Sequence, residues 1–433
     1  MALPDPVIVI PGITASELRD TYKLDPETVF ELFGKLYERI ALHPDNLRYE
    51  RIEPARVMPD KLLGIPYREL IEEIRYNLRP SEKEPVPVYP FAYDWRQPLK
   101  DTETVLECFI NEVIERTKLL PHYHKSGYAE DPKVNLIGHS MGGLIIAGYL
   151  QRQNRSARVG KVVSLGSPFR GSLEAAVKMV TGTADLGTGP SSSREREAAR
   201  LTPALYHLLP SFESAVQAVQ GLSNDLYDVT AWQPSVLDTI AQYVRFYGLK
   251  KTGVKAQARA IFDSILKEAK EHRNRLESFR LEEAGLDEND WLCIVGVGEE
   301  TRIRLQIDRV RGKPEFKLRS VDRQNFWNSN EPEKRIYTGD GTVAYPGARC
   351  NFIPTAKIIC VLDDDFGYWE IGDRLIEGQS GLHGLLPKMN LIHRLIVSHF
   401  TGRTRRGTWG RPAPDLPQGV MWDPPISGLE QKE

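Results

Sequence analysis

Ser140 stands in Gly138-His139-Ser140-Met141-Gly142-Gly143, a G-x-S-x-G pattern that directly follows the apolar run Val134-Asn135-Leu136-Ile137 and precedes a helical pattern. This is the context in which a serine is presented as a nucleophile: a strand turning sharply into a helix exposes the hydroxyl at the top of a sheet. Small residues two positions either side avoid clashes with neighbouring elements, and the helix N-terminus favours developing negative charge. Composition alone would produce the bare pattern about 0.15 times in a chain of this length. The plain alternative is a glycine-rich turn with a capping serine.

A serine hydroxyl is a weak nucleophile and needs a base within hydrogen-bond reach. In a strand-turn-helix setting of this kind the partners follow in the order Ser, Asp, His. Asp340 fits as the acid, in the glycine-flanked segment Tyr337-Thr338-Gly339-Asp340-Gly341-Thr342-Val343; an Asp-Gly turn at a strand end is its plain alternative. Asp363, Asp364 and Asp365 compete, but they follow the last strand pattern, where the base is expected. Of nine histidines, His43, His122, His124, His207 and His272 precede or interrupt the core pattern and read as surface or packing residues. His139 is held beside the nucleophile and cannot reach around to it. His393 and His399 lie in or just beyond a helical pattern at Met389 to Ile396. His383, in the loop-like Ser380-Gly381-Leu382-His383-Gly384, is preferred, because a glycine-flanked loop can present a ring to a serine above a sheet. The oxyanion formed on attack needs backbone donors, each worth on the order of 10²–10³ in rate. Met141, next to the nucleophile, and Ile13, in the small-residue loop Pro11 to Ser16, are the expected N–H donors.

The elements that must position these groups can be read from apolar periodicity. Val7 to Ile10 is a continuous β-branched run stopped by Pro11-Gly12, as in a strand buried on both faces. Similar runs occur at Val86 to Tyr89, Val134 to Ile137, Val162 to Leu165, Leu292 to Val297 and Lys357 to Leu362, with helical patterns between them, notably Val105 to Leu119 and Leu144 to Gln153. Strands alternating with helices predict an α/β chain with a mostly parallel sheet covered on both sides. Two stretches leave this rhythm. Residues 18–80 are charged and helical in pattern with several prolines, a lid-like excursion. Residues 171–290 read as a helical cap insertion, clearest at Ala215 to Leu222, Val236 to Tyr247 and Gln257 to Leu281. The expected organisation is a first core part over 1–170, the cap over 171–290, a second core part over 291–404, and an extended Pro-rich tail over 405–433. Within the cap, Thr181 to Ser193 is Gly/Ser/Thr-rich and expected to be mobile.

Composition bounds the function. The chain has 433 residues, 41% hydrophobic and 27% charged, and Lys+Arg of 57 against Asp+Glu of 59 gives a net charge of −2. Such a balance offers no field to concentrate nucleic acid. The four cysteines, Cys108, Cys293, Cys350 and Cys360, show no metal-ligand spacing and read as buried thiols of a reducing compartment. No apolar run has the length of a signal-peptide core or a membrane span. The expectation is a cytoplasmic protein with at most peripheral contact with a membrane, and with no metal or organic cofactor.

Several motifs together resemble the lecithin:cholesterol acyltransferase family, which includes phospholipid:diacylglycerol acyltransferases and lysosomal phospholipases. Pro11-Gly12-Ile13 with Ser16-Glu17-Leu18 is similar to its opening oxyanion segment, and Tyr93-Asp94-Trp95-Arg96 to its Tyr-Asp-Trp-Arg signature. Gly138 to Gly143 matches its elbow, and Gly166-Ser167-Pro168-Phe169-Arg170-Gly171-Ser172 resembles the turn opening its cap. Gly296-Val297-Gly298 with Thr301, then Gly339 to Val343, resembles the stretch carrying its acid; Leu382-His383 with Met389-Asn390 fits its histidine region. The resemblance implies an α/β-hydrolase fold with a lid and a cap, and a serine acyl-enzyme mechanism on lipid acyl esters. Its extracellular and lysosomal members carry a signal peptide and a disulfide-tied lid, whereas residues 18–80 here contain no cysteine and no tryptophan.

The expected function is therefore a serine acyl hydrolase or acyltransferase on lipid acyl esters, with Ser140 as nucleophile, His383 as base and Asp340 as its orienting acid. Tyr93, Asp94, Trp95 and Arg96 are candidates for the floor of the acyl pocket, the alternative being a structural corner with a satisfied ion pair. An esterase or thioesterase for soluble acyl substrates and a silent hydrolase-fold binding module remain as alternatives. Oligomeric state cannot be read from the chain.

Overall fold

The computed structural model describes residues 3–31, 34–52, 54–183, 193–367 and 381–432. Six strands, β1 (Val7–Ile10), β2 (Val88–Pro90), β3 (Val134–His139), β4 (Val159–Leu165), β5 (Trp291–Gly296) and β6 (Ile358–Val361), form one sheet in the order β6-β5-β4-β3-β1-β2. Every neighbouring pair is parallel. Alternate side chains sort to opposite faces: Ile8, Ile10, Leu136, Val162, Cys293 and Ile358 join one core, while Val7, Val9, Ile137, Val163, Ile294 and Ile359 join the other. The continuous apolar runs are thus strands apolar on both faces.

Helices cover both faces. On the first lie α2 (Leu99–Lys118), α3 (Met141–Gln153) and the long helix α4 (Val254–Ser278). On the second lie α1 (Gly64–Leu78) and α5 (Asn390–Thr401). The buried residues of α1, Tyr67, Leu70, Ile74 and Leu78, fall three and four apart and form the stripe that meets the sheet.

Several expectations are corrected. Residues 18–80 are not chiefly helical: Ser16–Asp20 pairs antiparallel with Glu27–Phe30 and Val57–Leu62, and Leu42–His43 pairs with Asn46–Glu50. Ser16–Asp20 alternates buried and half-buried residues, the period of a strand, which its charge had obscured. Nor is the whole stretch an excursion, because α1 belongs to the layer that covers the sheet. In the cap, the expected helix at Ala215 to Leu222 is instead a strand, Val216–Ala218, paired parallel with Leu305–Ile307 of a ribbon completed by Lys313–Lys317. A segment inserted after β5 thus pairs with residues 216–218, and long-range pairing overrides local helical preference. Most of Thr181 to Ser193 lies outside the described residues. Cys108 is exposed, contrary to expectation, while Cys293, Cys350 and Cys360 are buried. The tail folds back on the core: Arg411 bridges to Cys360 of β6, and Trp409–Gly410 pairs with Glu430–Gln431. Among the described residues no helix is long and apolar enough to cross a membrane.

Candidate active site

Ser140 ends β3 and opens α3 with φ 54° and ψ −124°, a left-handed backbone conformation that side chains rarely adopt. Two contacts hold it there. Its N–H donates to the Leu165 carbonyl at the end of β4 (2.8 Å), and its own carbonyl accepts from Gly143 N–H (3.1 Å). The turn fits only because Gly142 has no side chain: a Cβ there would lie 2.3 Å from the Ile10 carbonyl oxygen of β1. Strand β3 lies between β1 and β4, so the serine rises from the middle of the sheet.

Asp340 and His383 come from the connections after β5 and β6. His383 Nε2 is 2.9 Å from Ser140 Oγ, and His383 Nδ1 is 2.7 Å from Asp340 Oδ2. A carboxylate can only accept, so Nδ1 carries the hydrogen and the bare Nε2 accepts from the serine hydroxyl. The other carboxylate oxygen, Oδ1, accepts from the N–H groups of Val343 (2.7 Å) and Thr342 (3.1 Å). The Asp340 carbonyl also accepts from His383 N–H (3.0 Å). Asp340 is 1% exposed. Gly166 keeps the space open: at its positive φ of 54°, a Cβ would stand 3.0 Å from Asp340 Oδ2 and 3.2 Å from His383 Nδ1. His383 lies in a short helical segment, Gly381–Leu385, rather than in a loop as expected.

The competing groups are engaged elsewhere. His393 Nε2 meets the Pro387 carbonyl (2.7 Å), and both nitrogens of His399 face the carbonyls of Pro425 and Asp290. Asp365 accepts from Leu362 N–H, Trp409 Nε1 and Arg411, which ties the tail to the sheet.

The loop after β1 lies directly against Ser140, since a Cβ on Gly12 would be 3.0 Å from Ser140 Cβ. Ile13 belongs to this loop. Met141 is the first residue of α3, so its N–H has no intrahelical acceptor.

The four pocket-floor candidates hold loops together. Arg96 is 1% exposed. Its guanidinium binds Asp94 (2.8 and 2.7 Å), Glu50 (2.8 Å) and the carbonyls of Ile40 (3.0 Å) and Val57 (3.3 Å). Tyr93 OH donates to the Pro11 carbonyl (3.1 Å), and Trp95 Nε1 donates to the Ser16 carbonyl (3.1 Å). Their polar atoms are directed at the protein, fastening residues 40–57 and the loop after β1. These are the contacts of a structural corner with a satisfied ion pair, the alternative weighed for these residues.

Sequence reasoning missed Tyr67 and set His139 aside. Tyr67 OH lies 2.8 Å from His139 Nδ1, and His139 Nε2 lies 2.9 Å from the His383 carbonyl oxygen. Burial and the neighbouring His383 push the His139 imidazole down to about 3, so it is neutral at ordinary pH. Nothing local in the sequence joins residues 67, 139 and 383.

Sheet order, the placement of the three groups and the strained serine turn are those of an α/β-hydrolase fold. Residues 83–286 match the model of the lecithin:cholesterol acyltransferase family, to which the chain is therefore similar; the match supports an ester-acting hydrolase or acyltransferase. A chain in the crystal structure of the Tle4-Tli4 complex is similar at 16% identity and a TM-score of 0.56, over 80% of this chain and 89% of that one. The lipase BlEst2 of Bacillus licheniformis, in its mature form, is similar at 12% identity and a TM-score of 0.30, over 82% of each chain. The first of these likenesses bears on the fold. Comparison with curated proteins gives no significant match.

Proposed function

We propose that this protein is a serine acyl hydrolase or acyltransferase acting on lipid acyl esters. The observation that carries the proposal is the continuous line Asp340–His383–Ser140, with contacts of 2.7 and 2.9 Å, at the ends of three strands of one sheet. In this reading His383 takes the Ser140 proton as Oγ attacks the ester carbonyl. Asp340 keeps the imidazole in the required tautomer and stabilises its positive charge. The N–H groups of Met141 and Ile13 hold the tetrahedral oxyanion. His383 then returns the proton to the departing alkoxide, leaving the acyl group on Ser140. Water, or the hydroxyl of an acceptor lipid, gives its proton to His383, attacks the acyl-enzyme and restores the serine. No step calls for a metal or an organic cofactor.

The lipid class rests on the family match over residues 83–286. Cytoplasmic location, with peripheral contact at a lipid surface, belongs to the same proposal. The test is mass spectrometry of mixed phosphatidylcholine, phosphatidylethanolamine and diacylglycerol vesicles incubated with wild type or Ser140→Ala. Free fatty acid with lysophospholipid, formed by wild type alone, identifies a phospholipase; a newly acylated acceptor identifies a transferase. Unchanged vesicles together with turnover of short soluble esters would replace the lipid reading by a soluble-ester esterase.

A further inference from the structure

Tyr67 lies on α1, the helix that covers the face of the sheet opposite α3. It is buried, yet its hydroxyl reaches the nucleophile turn. The hydrogen bonds around it have only one consistent direction. The His383 carbonyl can only accept, so His139 Nε2, 2.9 Å away, carries the hydrogen. His139 is neutral, so its Nδ1 is bare and accepts from the Tyr67 hydroxyl at 2.8 Å. The Tyr67 oxygen is then left to accept, and it does so from Gly12 N–H at 2.9 Å.

The series therefore runs from the loop that carries one proposed oxyanion donor to the backbone of the proposed base. Gly12 directly precedes Ile13, so the direction of its N–H sets how the next peptide faces Ser140. At the other end, the His383 carbonyl belongs to the residue whose ring must meet both Ser140 and Asp340. If Nδ1 lost its donor, His139 could take the other tautomer, turning a lone pair toward the His383 carbonyl and repelling it.

We propose that Tyr67 is a positioning residue for acyl transfer: its hydroxyl, acting through His139, sets the oxyanion loop and the backbone of the catalytic histidine in register with Ser140. This assignment rests on the serine mechanism proposed above. It makes α1 part of the working site although none of its residues need touch substrate. Reacting groups must be held to within about 0.5 Å, and a 1 Å misplacement can cost about 10²-fold in rate. The loss of one hydroxyl is thus expected to appear in turnover and not in substrate binding.

The experiment compares wild type, Tyr67→Phe and Leu70→Val on p-nitrophenyl butyrate, with active sites counted by fluorophosphonate labelling. Leu70 shares the buried stripe of α1, so its substitution loosens the helix and leaves the hydrogen bonds in place. Per labelled site, Tyr67→Phe is expected to lower kcat about 10- to 100-fold. KM should stay within about twofold, and the labelling rate should fall in step with kcat, while Leu70→Val keeps the wild-type kcat per site. An unchanged kcat per site in Tyr67→Phe, or an equal fall in Leu70→Val, would overturn the assignment. Failure of wild type to label on Ser140 would instead remove the serine mechanism on which it rests.

Discussion

His383 and Asp340 are joined twice: His383 Nδ1 meets Oδ2 at 2.7 Å, and His383 N–H donates to the Asp340 carbonyl at 3.0 Å. The His383 imidazole is therefore oriented through both its ring and its backbone by one residue, which is itself held by two N–H groups of its own loop.

Asp340→Asn keeps the backbone bond but places an amide where a carboxylate must accept. The imidazole then loses the partner that fixes Nδ1–H, and kcat should fall about 10³–10⁴-fold with the fold intact. Steady-state hydrolysis of a soluble ester, with circular dichroism as the check on folding, measures this. A loss under tenfold would show that Asp340 is not the orienting acid.

Ser140 adopts a positive φ that costs about 1–3 kcal/mol in a non-glycine residue. Ser140→Gly should abolish turnover and raise the unfolding free energy by about 1 kcal/mol, since glycine relieves the strain at some entropic cost. Urea denaturation decides the second part. A variant less stable than wild type would mean that the turn stores no strain.

Arg96 is a buried cation with two buried or half-buried carboxylates and two carbonyls around it. Removing one partner from such a set leaves charges uncompensated and typically costs about 3–5 kcal/mol. Arg96→Met should therefore destabilise the protein by about that amount and leave KM for a soluble ester unchanged in the folded fraction. A raised KM at unchanged stability would return Tyr93 to Arg96 to the acyl pocket.

Acid should destabilise the protein beginning near pH 6.5. Burial holds His139 at about 3 and His399 at about 4, and holds His207 and His272 well below the usual range. Unfolding raises each to about 6.5, so below that pH the unfolded chain binds more protons and stability falls. Four carboxyls act oppositely: burial raises Asp5 to about 6 and Glu103 to about 7, and also raises Glu268 and Asp290, so the folded state holds part of their protons between pH 5 and 6.5. The four histidines take up protons across this whole range and outweigh Asp5 and Glu103, the two carboxyls raised furthest, so unfolding binds protons on balance, worth about 1.4 kcal/mol per proton per pH unit. Unfolding free energies at pH 6.5, 6.0, 5.5 and 5.0 should decline steadily; a flat or rising series would contradict these assignments.

The parts of the fold readable from sequence were those with local periodicity. Val7-Ile8-Val9-Ile10 and its counterparts are apolar on both faces, so each run announces a sheet strand. Ser140 was legible because its turn demands glycines at fixed offsets. Asp340 and His383 could be chosen by chain order and glycine context, which the geometry then brings together. Tyr67 was hidden because its partners Gly12 and His139 lie 55 and 72 positions away and α1 looks like any amphipathic helix. The surroundings of Arg96 were hidden for the same reason: Glu50, Ile40 and Val57 become its neighbours only after residues 16–62 fold. Val216–Ala218 is a strand because Leu305–Ile307 offers it a ladder, and no property of the segment alone says so.

The central claim is that Ser140 is the acyl-carrying nucleophile. Incubation with a fluorophosphonate, followed by peptide mass spectrometry, tests it most directly. One phosphonylated site, Ser140, is expected, with labelling lost in Ser140→Ala and slowed at least about 10²-fold in His383→Ala. Modification of a different residue, or turnover of ester by Ser140→Ala at the wild-type rate, would contradict it.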